Sequence, residues 1–150
     1  MQNLKIFWKL GKQEFGTEHF AINKDGELIV REGNYQYNIY DIAKKYGSPV
    51  EICMPFIIEE RLNYLFKLAK NNIAQLKYRG KFNYHFPMKV NQNREFVLPL
   101  VSEGAHLEVA SVNDLWVVKK LWTGENFHSK ISVICNGPKT VEYIELIKQL

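Results

Sequence analysis

Tyr84-His85-Phe86-Pro87-Met88-Lys89-Val90-Asn91-Gln92 reads as a buried β-strand that carries a lysine to its C-terminal end. Successive side chains of a strand point to opposite faces. Phe82, Tyr84, Phe86, Met88 and Val90 therefore form one apolar face, and Asn83, His85, Pro87 and Lys89 form the other. A lysine facing inward from such a strand requires an anion, a ligand or a covalent partner, because burying a bare ammonium is costly. Desolvation favours the neutral amine, the form that attacks carbonyl carbon to give a Schiff base. At the strand's end the same ammonium can instead stand in solvent, and this stretch alone leaves both readings open.

On either side of this strand, short apolar runs alternate with helical stripes. Val50 to Met54 precedes a long helix whose stripe, Ile58, Leu62, Leu65, Ala69, Ile73 and Leu76, closes at Gly80. After the Phe82–Val90 strand comes a helix ending at Gly104, which Pro99 should kink or break. A third strand, His106 to Ala110, leads into Ser111-Val112-Asn113-Asp114, a capping-box-like start with an acid at the third helical position. That helix carries Leu115, Val118, Lys119 and Trp122 and stops at Gly124. A fourth strand, Lys130 to Cys135, meets Asn136-Gly137-Pro138, with Pro138 suited to a first helical position before Tyr143, Ile144 and Ile147. Strands alternating with helices predict an α/β fold with a parallel sheet. Residues 49–150 suit either an open sheet or about the first four βα units of a (β/α)8 barrel. The absence of a Gly-rich loop after the first strand weakens the dinucleotide-binding form of the open sheet. A complete barrel needs eight units and typically ~250 residues, so this part reads as a truncated half. Residues 1–48 form a separate lead-in. Phe20-Ala21-Ile22 and Glu27-Leu28-Ile29-Val30 flank Asn23-Lys24-Asp25-Gly26, a hairpin signature. A short helix follows through Ile39, Ile42, Ala43 and Tyr46, with Asn38 as cap and Gly47 as stop.

Composition narrows the class. The 150 residues carry a mild net charge of +4, with lysines scattered along polar helix faces rather than gathered into a basic stripe with aromatics, so nucleic acid is not an expected partner. No apolar run approaches membrane-spanning length, and Met1-Gln2-Asn3-Leu4-Lys5-Ile6 lacks the apolar segment of a signal peptide. Cys53 and Cys135 sit in apolar runs without disulfide or metal spacing, as buried thiols of a reduced, cytoplasmic protein would. Trp8, Trp116 and Trp122 read as core or interface material.

In either α/β architecture, chemistry gathers at the C-terminal ends of the strands. Lys89, Glu108 with Ser111, and Asn136 converge there. Parity puts His106, Glu108 and Ala110 on the interior face of the third strand, so Glu108 can meet Lys89, most simply as the ion pair that satisfies it. His85 and His106 share that parity and read as hydrogen-bonded core residues. Ser111 reads as a helix cap and Asn136 as a turn residue.

Phe86-Pro87-Met88-Lys89-Val90-Asn91-Gln92 resembles the Y-P-I-K-V-N-Q motif around the pyridoxal-phosphate lysine of biosynthetic arginine decarboxylases. Gly104-Ala105-His106-Leu107-Glu108-Val109-Ala110-Ser111-Val112-Asn113-Asp114-Leu115 is similar to their G-L-E-A-G-S-K-A-E-L segment, with a longer approach. Val133-Ile134-Cys135-Asn136-Gly137-Pro138-Lys139 resembles V-I-V-C-N-G-Y-K, Glu142-Tyr143-Ile144 the following E-Y-I, and Phe20-Ala21-Ile22-Asn23-Lys24-Asp25-Gly26 an upstream F-D-I-N-E-K-G.

The resemblance implies an alanine-racemase-like barrel with a flanking β-domain. It implies removal of the α-carboxylate of L-arginine to give agmatine and carbon dioxide in polyamine biosynthesis, with pyridoxal 5′-phosphate as cofactor and Mg2+ as an allowed second one. Lys89 would anchor the cofactor covalently, with Glu108 in a supporting cofactor-binding role. The complete enzyme would be a homo-oligomer. The family's stacking histidine, Gly-rich phosphate site, ring-nitrogen acid and substrate-binding acids have no counterpart in this chain, so the expectation is an N-terminal part that is inactive alone. The alternatives are another decarboxylase of this fold, acting on ornithine or diaminopimelate, and a non-catalytic truncated paralogue that pairs with a homologue.

Overall fold

A computed structural model describes residues 18–125 and 131–150. Met1 to Ile6, Trp8 and Lys130, which enter the reading of the sequence, lie outside the described residues. The chain is α/β and divides into two compact units, Met1–Ile52 and Cys53–Leu150.

In the first unit, β1 (Phe20–Ile22), β2 (Leu28–Glu32) and β3 (Tyr35–Asn38) form an antiparallel sheet in the order β1-β2-β3. The expected hairpin is present, with Phe20 opposite Val30 and Ile22 opposite Leu28. Its turn is closed by Asn23, whose Oδ1 accepts the N–H groups of Asp25 and Glu27, while Gly26 takes a φ of 83° that suits a residue without Cβ. The third strand is an addition to the expected hairpin. Glu32 pairs with Tyr35 across a two-residue Gly33-Asn34 turn, and Gly-Asn between strands is itself a hairpin signal. Helix α1 (Ile39–Tyr46) starts where Asn38 Oδ1 accepts the N–H of Tyr40 at 2.9 Å and ends at Gly47, as the sequence indicates. Asn38 Nδ2 and Asn23 Nδ2 both donate to Glu27 Oε2. Those two amides hold the Glu27 carboxyl below its ordinary pKa, the Asn23 bond having the larger effect.

The second unit runs α2 (Pro55–Gln75), β4 (His85–Pro87), α3 (Arg94–Ser102), β5 (His106–Val109), α4 (Val112–Glu125), β6 (Val133–Cys135) and α5 (Val141–Ile147). The three strands make a parallel sheet in the order β4-β5-β6. Leu107 and Val109 of β5 are fully buried against the helices, joined by Met88, Val97, Leu115, Val118, Tyr143 and Leu146 in one apolar cluster. A smaller cluster of Leu62, Leu100 and Ala105, with Phe66, Tyr84 and Phe86 packed on it, ties α2 to α3. Trp122 packs on the main cluster, whereas Trp116 is 45% exposed. Cys53 and Cys135 are half-buried free thiols.

The structure corrects several sequence expectations. The described parallel sheet has three strands, where four βα units predict four. Val50 to Met54 pairs with no strand and runs straight into α2, with Met54 at the cap and Pro55 at the first helical position. Pro55 starts α2 directly behind it, so the run ends where the helix begins. The strand expected over Phe82–Val90 narrows to His85–Pro87, with flanking bonds from His106 N to Tyr84 O and from Met88 N to Glu108 O. It stops because Val90 N turns back to Pro87 O at 3.0 Å. Helix α5 is capped by Thr140 Oγ1, which accepts the N–H of Tyr143, so Pro138 precedes the helix rather than starting it. Pro99 lies inside α3 without ending it. It cannot donate to Glu95 O, and the Cys53 thiol approaches that carbonyl at 4.0 Å instead.

Candidate functional site at the strand ends

Lys89 stands exposed on the turn just past β4. The turn is closed by Val90 N donating to Pro87 O, which makes Lys89 its third residue. Its neighbour Met88 is fully buried and donates its N–H to Glu108 O at 2.9 Å. The amine is therefore borne on an anchored turn at the C-terminal end of a parallel strand, in solvent rather than inside the sheet. Of the two readings open for this lysine, the solvent-facing one describes the chain.

Glu108 is brought to the same end of the sheet. It pairs with Pro87 across β4 and β5, so the two side chains share the face opposite Leu107 and Val109. The ion pair expected between Glu108 and Lys89 does not form; Glu108 Oε1 instead accepts the side-chain amide of Asn136 at 2.9 Å. Asn136 is thus more than a turn residue. Its N–H donates to Val109 O at 2.7 Å, and its Oδ1 accepts the N–H of Gly137. Around it the β6–α5 loop is tightly held. Lys139 Nζ donates to Asn136 O and Gly137 O, and the Tyr143 hydroxyl lies within hydrogen-bond distance of Val109 O and Asn136 O. Burial, more than the neighbouring Cys135, raises the Tyr143 phenol well above its ordinary pKa, so it acts as a neutral donor. A Cβ at Gly137, where φ is 76°, would lie 2.5 Å from Ala110 O, so only glycine lets the two loops approach this closely.

Ser111 is a helix cap, as its sequence context indicates. Its Oγ accepts the Asp114 N–H at 3.1 Å, and Asp114 Oδ2 accepts the N–H groups of Ser111 and Ala110. Asp114, only 2% exposed, also accepts the side-chain amide of Gln92 on Oδ1. That link between two βα units has no local signature in the sequence.

His85 and His106 are brought together lower on the same face, ring centroids 4.9 Å apart. His106 Nδ1 accepts the Ser132 N–H at 3.1 Å, which leaves the proton of the neutral ring on Nε2. Burial, then the neighbouring His85, pushes the His106 pKa below its ordinary value. Nε2 of His85 is buried with no hydrogen-bond partner among the described residues, which departs from the expected hydrogen-bonded core histidine. The opposite, helix-facing side of β4 borders an apolar cleft of about 360 Å3, lined by residues that include Leu62, Tyr84, Phe86 and Leu100. Among the described residues no cluster of three or more His, Cys, Asp or Glu side chains is placed to hold a metal ion, and no helix is long and apolar enough to cross a membrane.

No protein-family model matches the chain. Its curated relatives include biosynthetic arginine decarboxylases from Trichlorobacter lovleyi, 30% identical over 145 residues, and Citrifermentans bemidjiense, 32% identical over 145 residues. Each alignment covers 89% of this chain and 22% of the relative. The biosynthetic arginine decarboxylase of Rhodopirellula baltica is 31% identical over 144 residues, covering 88% of this chain and 21% of that protein. The chain is thus arginine decarboxylase-like over nearly nine-tenths of its length, and it spans about a fifth of the length of the curated relatives it matches.

Proposed function

We propose that this chain contributes the cofactor-anchoring lysine and part of the barrel wall of a decarboxylase that uses pyridoxal 5′-phosphate to convert L-arginine to agmatine and carbon dioxide. The observation that carries the reading is the placement of Lys89. It projects from an anchored turn at the C-terminal end of a parallel strand, in a segment similar to proteins named for arginine decarboxylation.

The residues present fit the anchoring end of that cofactor. An exposed primary amine is accessible to an aldehyde, and the buried Met88 beside it limits how far the turn can drift. When bound, pyridoxal phosphate supplies an electrophilic aldehyde and a ring that accepts the electron pair left by departing carbon dioxide. Lys89 would hold the group covalently through its primary amine. Glu108 presents an acceptor on the same sheet face, oriented by Asn136. Neutral His106 and its partner His85 occupy the β4–β5 step below, where they put no fixed negative charge. Three strand–helix steps of parallel sheet support the wall of a (β/α)8 barrel, and the remaining wall, the phosphate cradle and the recognition of the guanidinium fall to residues other than those described here. A homo-oligomeric complete enzyme in the cytoplasm belongs to the same reading.

Product analysis tests it. The protein encoded by the whole reading frame, supplied with pyridoxal phosphate and offered L-arginine, ornithine and diaminopimelate, is expected to release agmatine preferentially. Putrescine or lysine as the main product moves the assignment to a sister decarboxylase. No amine product from any of the three favours a non-catalytic paralogue and overturns the proposal.

A further inference from the structure

We propose that Gln92 and Asp114 form a latch that positions Lys89, which makes Gln92 a positioning residue for the anchoring amine. The inference rests on the reading of Lys89 given above. The turn that bears Lys89 is fixed upstream by the buried Met88 side chain and by Met88 N donating to Glu108 O. Downstream the backbone is in neither strand nor helix until Arg94. Asn91 Oδ1 accepts the Asn93 N–H, a local bond that shapes the loop without tying it to the sheet. Gln92 makes that tie, donating its side-chain amide to Asp114 at the β5–α4 junction. Lys89 thus sits between two attachments to the neighbouring βα unit, one at Met88 just before it and one at Gln92 three residues after it.

Asp114 is built to serve two roles at once. Its Oδ2 takes the N–H groups of Ala110 and Ser111 and so completes the start of α4. Capping needs only that oxygen. A carboxylate that is 2% exposed must also satisfy Oδ1, because an unpaired buried charge is costly. The donor that does so comes from a different βα unit, three residues after Lys89. The cap and the latch use different oxygens, so they can be separated by mutation.

The test uses the protein encoded by the whole reading frame, with pyridoxal 5′-phosphate added as the probe. Lys89 Nζ adds to the aldehyde carbon, the carbonyl oxygen leaves as water, and borohydride supplies the hydride that reduces the new C=N bond to a stable secondary amine. Timed quenching and peptide mass spectrometry give the labelling rate at Lys89 relative to exposed Lys70 on α2. In the unaltered chain Lys89 is expected to label faster. Gln92→Leu should reduce the ratio by about tenfold, within the penalty for misplacing a reacting group; it also leaves buried Asp114 Oδ1 without its donor and so lowers the unfolding midpoint, while the Oδ2 cap keeps the helix content. Gln92→Glu alone sets two carboxylates together and should reduce the ratio as well. Combining Gln92→Glu with Asp114→Asn reverses the donor and acceptor: the new amide can donate to the carboxylate at position 92, and its oxygen can still accept from Ala110 and Ser111. That pair should restore the ratio, a result that general weakening of the fold does not give. An unchanged ratio in Gln92→Leu, or no restoration in the paired variant, overturns the latch. If Lys89 labels no faster than Lys70 in the unaltered chain, the reading of Lys89 itself fails and the latch fails with it.

Discussion

Met88 and Lys89 are adjacent in sequence and opposite in environment: the methionine is fully buried in the helix–sheet cluster, and the lysine stands in solvent on the following turn. The pairing gives a reactive group a rigid base, since one residue holds the backbone while the next presents its amine. Met88→Ala should therefore destabilise the second unit by about 2–5 kcal/mol, the range for truncating a buried methionine. Lys89→Ala should shift stability by less than about 0.5 kcal/mol, as exposed substitutions usually do. Urea unfolding followed by far-ultraviolet circular dichroism separates the two. Equal losses would mean that Lys89 is a structural residue.

Gly137 is the second point where packing controls the site. Replacing it with alanine places a methyl carbon against Ala110 O and imposes a strained φ. The cost should be about 1–3 kcal/mol, and the β6–α5 loop should shift so that Asn136 no longer meets Glu108 squarely. Unfolding measurements on Gly137→Ala report the first effect, and the side-chain amide resonance of Asn136 reports the second. A stable variant with an unmoved resonance would contradict the close approach.

The histidine pair predicts a pH dependence of stability. His106 in the unfolded chain titrates near 6.5, and in the fold its pKa is lowered, by burial first and by His85 second. Below the unfolded value the unfolded chain takes up a proton that the folded ring resists. This contribution is full above pH 6.5 and is lost as the pH falls toward the folded pKa. Protonation would also place a hydrogen on Nδ1, against the Ser132 N–H that it accepts in the fold. Glu27, whose pKa is lowered from 4.5, adds a separate loss only at more acid pH. His106→Gln keeps an acceptor for Ser132 without titrating, and should flatten the stability profile between pH 7 and 5. A profile as steep as that of the parent would place the effect elsewhere.

Local chemistry was the legible part of this sequence. The alternation in His106-Leu107-Glu108-Val109 separated a buried face from a polar one, and both faces are where parity put them. Ser111 with Asp114, and Asn23 with Gly26, are turns and caps whose partners lie within a few residues. Strand extent was less legible. The apolar pattern through Phe82–Val90 continues past the point where the Val90–Pro87 bond ends the ladder, and Val50–Met54 has strand-like composition without a paired neighbour. The side-chain links of the site were not legible at all. Gln92 meets Asp114, and Asn136 meets Glu108, only because parallel pairing aligns the ends of β4, β5 and β6. Such distant contacts leave no periodic trace.

Where pyridoxal phosphate attaches decides whether Lys89 is the anchor. The protein encoded by the whole reading frame, loaded with the cofactor and reduced with borohydride, should yield on peptide mapping a single pyridoxyl-modified lysine, Lys89, and Lys89→Ala should abolish the label. A modification on any other lysine, or undiminished labelling in Lys89→Ala, would mean that Lys89 is not the anchor.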